Sequence, residues 1–173
     1  MGCCQPKRWL GRKSLVAGKV EGAAPEAVPT TTAQPGLDLI KEFEGCKLTS
    51  YVCPAGVVTI GVGHTGPDVH MNMTITQAEA DQLLADDLDR FEKAVVDLID
   101  VPFTQNEFDA TVSFAFNCGA GALADSTFRR RINSGEDKAT CFKEEFPRWT
   151  SGGMAGLVRR RDAEVALSLL LGF

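Results

Sequence analysis

Phe43-Glu-Gly-Cys-Lys-Leu-Thr-Ser-Tyr-Val-Cys-Pro-Ala-Gly-Val-Val-Thr-Ile-Gly-Val-Gly-His-Thr-Gly66 is the stretch that indicates most about the fold of this 173-residue chain. Residues 48–52 and 57–62 within it are rich in β-branched and aromatic side chains, a composition typical of strands. Pro54-Ala-Gly56 stands between them and is typical of a tight turn. The stretch therefore predicts a β-hairpin.

Helices are predicted on both sides of the hairpin. The spacing of Leu37, Ile40 and Glu44, followed by Gly45, predicts a helix over 37–44. Further helices are predicted over 126–133, 138–145 and 156–170. We therefore predict a mainly helical α+β fold with a small β-hairpin lobe, a long connecting helix and a helical C-terminal lobe. Two lobes imply a cleft between them, in which a ligand binds.

The long connecting helix and the helix after it have clear start signals. Thr76 with Glu79, and Thr104 with Glu107, have the spacing of capping boxes. The first of these helices then carries an apolar stripe at alternating steps of four and three residues, typical of one buried face. Its members are Leu84, Leu88, Phe91, Val95 and Leu98.

Charge is unevenly distributed along the chain. The net charge is −5, yet residues 1–35 carry five Lys or Arg against two Glu. Residues 22–35 are rich in Ala, Pro and Thr without periodic apolar positions, a composition typical of a linker. We predict a basic N-terminal arm and linker over 1–35 and one folded domain over 36–173.

The composition excludes several classes of protein. No apolar run approaches the roughly 18–20 residues of a membrane span, and the run at 15–18 is too short for a secretory signal. The acidic balance argues against a general nucleic-acid binder, which needs a basic face. Six cysteines permit a disulfide framework, but a chain of this size does not depend on one.

Glu44 is the first candidate for catalysis. A carboxylate in the last turn of a helix faces the negative end of the helix dipole, and partial burial would disfavour its charge further. Both effects raise a carboxyl pKa, and a group that stays protonated near neutral pH suits general acid catalysis. On the helix pattern alone, a terminal Glu without a function is the favoured interpretation.

The order of the neighbouring residues changes that interpretation. Glu44, Cys53 and Thr59 have the spacing Glu-x8-(Asp or Cys)-x5-Thr, and residues 43–66 resemble the active-site segment of the phage lysozymes, glycoside hydrolase family 24. The resemblance covers about residues 36–170 and implies a lysozyme-like fold. Four segments are similar to signatures of the helical lobe of that family: 103–110, 113–119, 148–149 and 156–161.

The resemblance implies hydrolysis of the β-1,4 bond between N-acetylmuramic acid and N-acetylglucosamine in bacterial peptidoglycan. It makes Glu44 the general acid, Cys53 the group that assists attack from the other side of the sugar, and Thr59 the residue that holds the attacking water or the developing charge. Such hydrolysis needs one acid and one basic or nucleophilic group. An ordinary thiol, with a pKa of about 8.5, is mostly protonated at pH 7, so without the resemblance Cys53 would be a small buried hydrophobe. No metal or organic cofactor is expected.

A thiol at position 53 also offers control by oxidation. An extended segment from Cys46 to Cys53 would separate their Cα atoms by roughly 23 Å, whereas a disulfide tolerates only about 4.4–6.8 Å. A Cys46–Cys53 disulfide and the strand therefore exclude each other. We hypothesise a caged form that a thiol such as Cys3 or Cys4 releases by exchange. Similar endolysins are controlled in this way from a membrane-tethered N-terminus, but this arm shows no hydrophobic anchor.

Four further residues are predicted to contact substrate: Tyr51, His64, Arg148 and Arg159. One Arg of 159–161 is predicted to reach the cleft and bind wall carboxylates, and if it pairs with Glu44 it would lower the pKa of that acid. A solvated helix face is the alternative for this run and for 129–131. His64 is also interpreted as a buried hydrogen-bonding residue behind the hairpin.

A zinc site is a further alternative for four residues of this region: Cys46, Cys53, His64 and His70. The Cys-x6-Cys gap is wider than zinc sites ordinarily show, and the resemblance explains Cys53 better. No metal site is therefore predicted.

Three functions remain: a muramidase, a lytic transglycosylase that uses Glu44 alone and releases anhydro-sugars, and an inactive wall-binding protein. We predict the muramidase, an endolysin whose partner is the glycan strand of bacterial peptidoglycan, with no nucleic acid and no stable membrane span. We expect a monomer that accumulates in the host cytoplasm. It would reach the periplasm and cell wall through a holin-type lesion.

Overall fold

The computed structural model describes residues 28–53 and 56–170. The elements of this part of the chain, in order, are α1 (Gln34–Glu44), β1 (Lys47–Val52), β2 (Val58–Gly61), α2 (Gln77–Leu98), α3 (Gln105–Cys118), α4 (Ala120–Asp125), α5 (Thr127–Asn133), α6 (Lys138–Glu145), a 3₁₀ turn (Phe146–Arg148) and α7 (Ala155–Ser168). The predicted mainly helical α+β fold with a small β-hairpin is confirmed.

The hairpin pairs β1 with β2 in antiparallel register, with Tyr51 opposite Thr59. Pro54 and Ala55 of the predicted turn lie outside the described residues, and Gly56 beyond them has a φ of 80°, which favours glycine. The segment around Met73 pairs with the other edge of β1, where Ser50 N–H donates to its carbonyl at 2.9 Å. The small core of this lobe consists of Ile60, Val69, Ile75 and Ala80.

Helix α2 joins this lobe to the helical lobe, as predicted. Thr76 and Glu79 form the predicted capping box at its start. Its first turn packs Ala80 into the small core, and the predicted stripe then enters the large core. Leu84, Leu88, Phe91 and Val95 of that stripe are buried, and Leu98 packs at the edge. The steps of four and three residues therefore fit one helix that serves two cores in succession.

Helix α3 is the centre of the helical lobe. The capping box of Thr104 and Glu107 opens it, and every residue from Glu107 to Ala115 is buried. Helices α1, α2, α4 and α7 all pack against it. An aromatic cluster fills the far side of the lobe and is formed by Phe103, Phe114, Phe128, Phe142, Phe146 and Trp149.

The start of α1 differs from the prediction. The helix begins at Gln34, so the predicted start at 37 is wrong by three residues. Ala33 provides no side-chain cap, and its N–H donates instead to Asp109 Oδ1 of α3 at 3.0 Å. Thr32 N–H donates to Glu92 Oε1 at 2.7 Å, so these residues of the predicted linker contact α2 and α3. Residues 1–27, which include most of the predicted arm, lie outside the described residues.

Helix α4 and the 3₁₀ turn were not predicted. Both are too short to show a periodic apolar pattern from which a helix could be recognised in the sequence. Among the helices of the described residues, none combines the length and the apolar character that a bilayer crossing requires.

Candidate active site

Glu44 is the last residue of α1 and stands at the junction of the helix and the hairpin. Gly45 follows it with a φ of 72°, a conformation that favours glycine, and its N–H donates to the Lys41 carbonyl at 2.9 Å. Cys46 then leads into β1. The predicted helix stop is therefore correct, and it places the carboxylate beside the first strand of the hairpin.

Arg160 of α7 is the immediate partner of Glu44. Its Nη1 donates to Glu44 Oε1 at 2.5 Å. The Arg160 side chain is 4% exposed and that of Glu44 is 29% exposed, so the pair lies at the protein–solvent boundary. The guanidinium therefore holds the carboxylate in a fixed position at the end of α1. The sequence had left open which Arg of 159–161 reaches the cleft, and Arg160 is the one that pairs with the acid.

A cavity of about 390 Å³ opens beside this pair. The end of α1 contributes Glu44, α3 contributes Asn117, and the start of α7 contributes Gly156, Arg159 and Arg160. Residues of the hairpin do not line it within the described part of the chain. A second cavity of about 480 Å³ shares Asn117 with the first and continues past it.

Cys53 and Thr59 are brought together on the hairpin. The Val57 carbonyl accepts hydrogen bonds from Cys53 N–H at 2.9 Å and from Thr59 Oγ1 at 3.1 Å. Thr59 is 3% exposed, whereas Cys53 is half-buried. Their roles toward an attacking water stay predictions.

Behind Glu44 lies a buried charge network that sequence analysis missed. Glu164 is fully buried and accepts from Ser113 Oγ at 2.8 Å, Arg160 Nε at 3.2 Å and Arg161 Nη2 at 2.9 Å. Burial raises the pKa of Glu164, and the guanidinium groups of Arg161 and Arg160 oppose that rise. Negative and positive groups therefore alternate from the cavity into the core.

His64 fastens the hairpin lobe to α2. Its Nδ1 lies 2.8 Å from Asp87 of α2, and its Nε2 lies 3.2 Å from Asp68. Burial alone would lower the pKa of His64, but the hydrogen bonds to Asp87 and Asp68 outweigh it and raise the pKa. Because both ring nitrogens have protein partners, these contacts fit the interpretation of a hydrogen-bonding residue behind the hairpin. Its contact with substrate stays a prediction.

The other predicted binding residues lie in different places. The Lys47 ammonium covers the Tyr51 ring at 3.9 Å on β1. Arg159 is exposed and lines the cavity beside Glu44. Arg148 lines the second cavity with Trp149, pairs with Glu145 at 3.3 Å and has a 67% exposed side chain. Arg159 and Arg148 thus place positive charge at the first and the second cavity, respectively.

Cys46 is an exposed thiol in this structure. It contacts the Gln77 side chain, with Gln77 Nε2 at 3.8 Å from its sulfur, and β1 begins directly after it. The structure therefore shows the extended state, which excludes a Cys46–Cys53 disulfide. Cys3 and Cys4 lie outside the described residues. Among the residues that are described, no three His, Cys, Asp or Glu side chains cluster as metal ligands would.

A mainly helical domain with a glutamate between a helix end and a small hairpin, beside a groove, has the architecture of the lysozyme-like proteins. The phage lysozyme family matches residues 41–164, and the chain belongs to that family. The chain is 43% identical over 142 residues to the endolysin of Bacillus phage B103, an alignment that covers 79% of this chain and 53% of that protein. The chain therefore spans about half the length of that relative.

Solved structures share the fold over most of the chain. The muramidase domain of SpmX from Asticaccaulis excentricus is 37% identical, with a TM-score of 0.73, and the match covers 82% of this chain and 99% of that one. A variant of P22 lysozyme is 37% identical with a TM-score of 0.72, and covers 81% of this chain and 99% of its own. The resemblance drawn from residues 43–66 is thus confirmed at the level of family and fold.

Proposed function

We propose that this chain is an endolysin of the muramidase type, which hydrolyses the β-1,4 bond between N-acetylmuramic acid and N-acetylglucosamine of bacterial peptidoglycan. The observation that carries the proposal is the position of Glu44, half-shielded on the edge of a 390 Å³ cavity and held there by Arg160. Membership of the phage lysozyme family supports the substrate class.

In this mechanism Glu44 protonates the departing glycosidic oxygen. An oxocarbenium-like centre develops on the sugar, and attack comes from the opposite face. Cys53 assists that attack, and Thr59 holds the attacking water or the developing charge. The Val57 carbonyl accepts from the backbone N–H of Cys53 and from the hydroxyl of Thr59, which supports the pairing of these two residues because it holds the Cys53 backbone and the Thr59 side chain at one point of the hairpin.

The experiment measures release of reducing ends from purified peptidoglycan by wild type and three variants: Glu44→Gln, Cys53→Ser and Thr59→Val. Removal of a positioned general acid lowers the rate of hydrolysis by about 10²–10⁴-fold. We therefore expect Glu44→Gln to release reducing ends more slowly than wild type by that factor. Asp38→Asn is the matched control, since Asp38 is an exposed carboxylate on the same helix that accepts a hydrogen bond from Gln34 Nε2 at 2.6 Å and does not line the cavity. Undiminished hydrolysis by folded Glu44→Gln would refute the assignment.

Product masses decide between the muramidase and the lytic transglycosylase. Hydrolysis adds one water to each cleaved bond, whereas a transglycosylase releases anhydro-sugars that lack it. A wall-binding protein without activity would sediment with peptidoglycan and release neither product. We expect the hydrolytic masses only.

Redox control through Cys46 and Cys53 is a second part of the proposal. Oxidation would join the two thiols and pass their two electrons and two protons to a small-molecule disulfide, which is reduced to two thiols. The bridge would require β1 to unfold. A thiol donor would reverse it. The test is lytic activity and mass of the oxidised protein before and after dithiothreitol, with Cys46→Ser as the variant that no longer responds. If dithiothreitol removes the bridge without raising activity, redox control is wrong.

We also propose that the chain acts as a monomer, binds no nucleic acid and accumulates in the host cytoplasm until a holin-type lesion releases it to the wall. Co-expression in a bacterial host tests the release step. We expect lysis with a holin and none without it. Lysis by the chain alone would show that release follows another route.

A further inference from the structure

The buried network behind Glu44 connects the acid to a carboxylate that the proposed mechanism does not use. Glu164 has no exposed surface and lies on α7, four residues after Arg160 and three after Arg161. It therefore sits on the same helix face as both arginines. Because an isolated carboxylate is costly to bury, its two guanidinium neighbours complement the ionised form.

Glu164 fixes the orientation of Arg160. The Nε atom of Arg160 lies 3.2 Å from Glu164 Oε1, and its Nη2 lies 3.3 Å from the Ser113 carbonyl. A guanidinium is planar and its donors form a rigid fork. Once Nε and Nη2 are held in the core, Nη1 points outward, and there it meets Glu44. Ser113 Oγ in turn donates to Glu164 at 2.8 Å and holds the carboxylate in place.

Glu164 also balances the charge of Arg160. It contacts the guanidinium from the buried side, so part of the positive charge is offset in a region of low polarity, where screening by water is weak. Arg160 can therefore stay buried in the orientation that places Nη1 against Glu44.

We propose that Glu164 is a positioning residue for the general acid: it aims Arg160 at Glu44 and thereby holds the acid in place at the cavity. This inference rests on the proposed function, in which Glu44 donates a proton. Glu164 itself touches neither the cavity nor a substrate.

Other charged groups near α7 come from each element that packs against it. Helix α1 contributes Glu42 at the cavity, and α7 itself contributes Arg159. Helix α3 contributes Asn117, which is neutral, and Cys118, whose thiol pKa is raised by burial although Arg161 opposes this. Glu145 and Arg148, on α6 and the 3₁₀ turn, pair with each other. Glu164 is the acidic group that contacts Arg160 from within the core.

The test compares kcat and KM of Glu164→Gln and wild type on peptidoglycan fragments. Without the carboxylate, Arg160 Nε loses its partner on α7 and Arg160 no longer fixes Glu44, so kcat should fall by about 10- to 100-fold. KM should change little, because Glu164 does not line the cavity. Glu164→Asp keeps the charge and should restore kcat toward the wild-type value.

A loss of folding must be distinguished from a loss of function, because Glu164→Gln removes a carboxylate that compensates two buried arginines. The double variant Glu164→Gln with Arg161→Met removes one charge of each sign, and replacement of a buried ion pair by apolar groups is often tolerated. Its kcat should also fall, since it too lacks the carboxylate that holds Arg160. Glu107→Gln is the matched control: Glu107 is 8% exposed and ion-paired with Lys138 elsewhere in the lobe. This variant should lose stability while the folded protein keeps its kcat.

The outcomes are distinct. If Glu44→Gln is inactive and folded Glu164→Gln, or the double variant, keeps the kcat of wild type, the role of Glu164 is refuted while the muramidase assignment stands. If Glu44→Gln itself remains active, the proposed function fails first. A loss of kcat at unchanged KM that is shared by Glu164→Gln and the double variant, and absent from Glu107→Gln, supports the inference.

Discussion

Arg160 Nη1 lies 2.5 Å from Glu44 Oε1, although the two residues are 116 positions apart in the chain. The contact ties the end of α1 to α7 and holds the candidate acid at the rim of the cavity. An ion pair whose positive member is buried and whose negative member reaches solvent is sensitive to loss of either partner, since the remaining buried charge loses its compensation.

Replacement of Arg160 by Gln should therefore affect both stability and activity. We expect a loss of about 3–5 kcal/mol in the free energy of unfolding, because Glu164 loses one of its two guanidinium partners. The folded variant should also lose about 10- to 100-fold in kcat, since Glu44 loses the group that holds it at the cavity. Urea denaturation and steady-state kinetics measure the two effects. Arg159→Gln, at an exposed position, should change stability by less than about 0.5 kcal/mol.

The His64–Asp87 pair should make stability depend on pH in a defined direction. Since the folded-state pKa of His64 is raised, its contribution is complete below the unfolded value and is lost as pH rises through the folded value. Asp87→Asn should cost about 1.5–3 kcal/mol at pH 5.5 and less at higher pH. Asp68→Asn is the control, because Asp68 is 58% exposed and should matter less. Equal losses for Asp87→Asn at pH 5.5 and pH 9 would contradict this account.

Gly36 is required for the close approach of α1 to α3. A Cβ at this position would lie 2.8 Å from the Asp109 Cβ and 2.6 Å from Thr32 Cγ2. Gly36→Ala should therefore destabilise the fold by about 1–3 kcal/mol through overpacking. Gly121→Ala is the matched control on α4, where a Cβ has no neighbour within 4 Å. It should stabilise by about 0.4–1 kcal/mol. Thermal denaturation of both variants measures these changes in stability. Equal changes for Gly36→Ala and Gly121→Ala would show that the close approach of α1 to α3 does not require glycine.

Local signals in the sequence predicted much of the fold. Capping boxes at Thr76 and Thr104 act within four residues, so the start of each helix could be derived from the sequence alone. The start of α1 could not, because the cap of Ala33 comes from Asp109, which lies 76 positions away. When a residue of another helix accepts hydrogen bonds at the start of a helix, the sequence there contains no capping residue by which that start could be recognised.

The candidate site was predictable only in part, for a similar reason. Glu44 conflicts with the helix dipole, and that conflict is visible in a single sequence. Arg160 and Arg161 look like the exposed Arg159 beside them, since burial of a charged side chain depends on a partner that the sequence does not place. One indication of the network was visible in the sequence, because Glu164 follows the two arginines at helical spacing. Its burial against Ser113 of α3, however, depends on the tertiary fold.

Asp109 provides the last prediction, since it caps α1 from a fully buried position. Burial raises its pKa, the Ala33 N–H and the Gln105 side chain oppose the rise, and the nearby charge of Glu92 adds to it. Because the folded pKa lies above the unfolded value, ionised Asp109 carries a penalty at neutral pH that is relieved as pH falls through the folded pKa. Relative to Asp109→Asn, wild type should therefore gain stability between pH 7 and pH 4, and Glu92→Gln should reduce that gain. Urea denaturation of the three proteins at both pH values measures it, and a wild-type advantage that shrinks toward pH 4 would show that the charged form is the better cap.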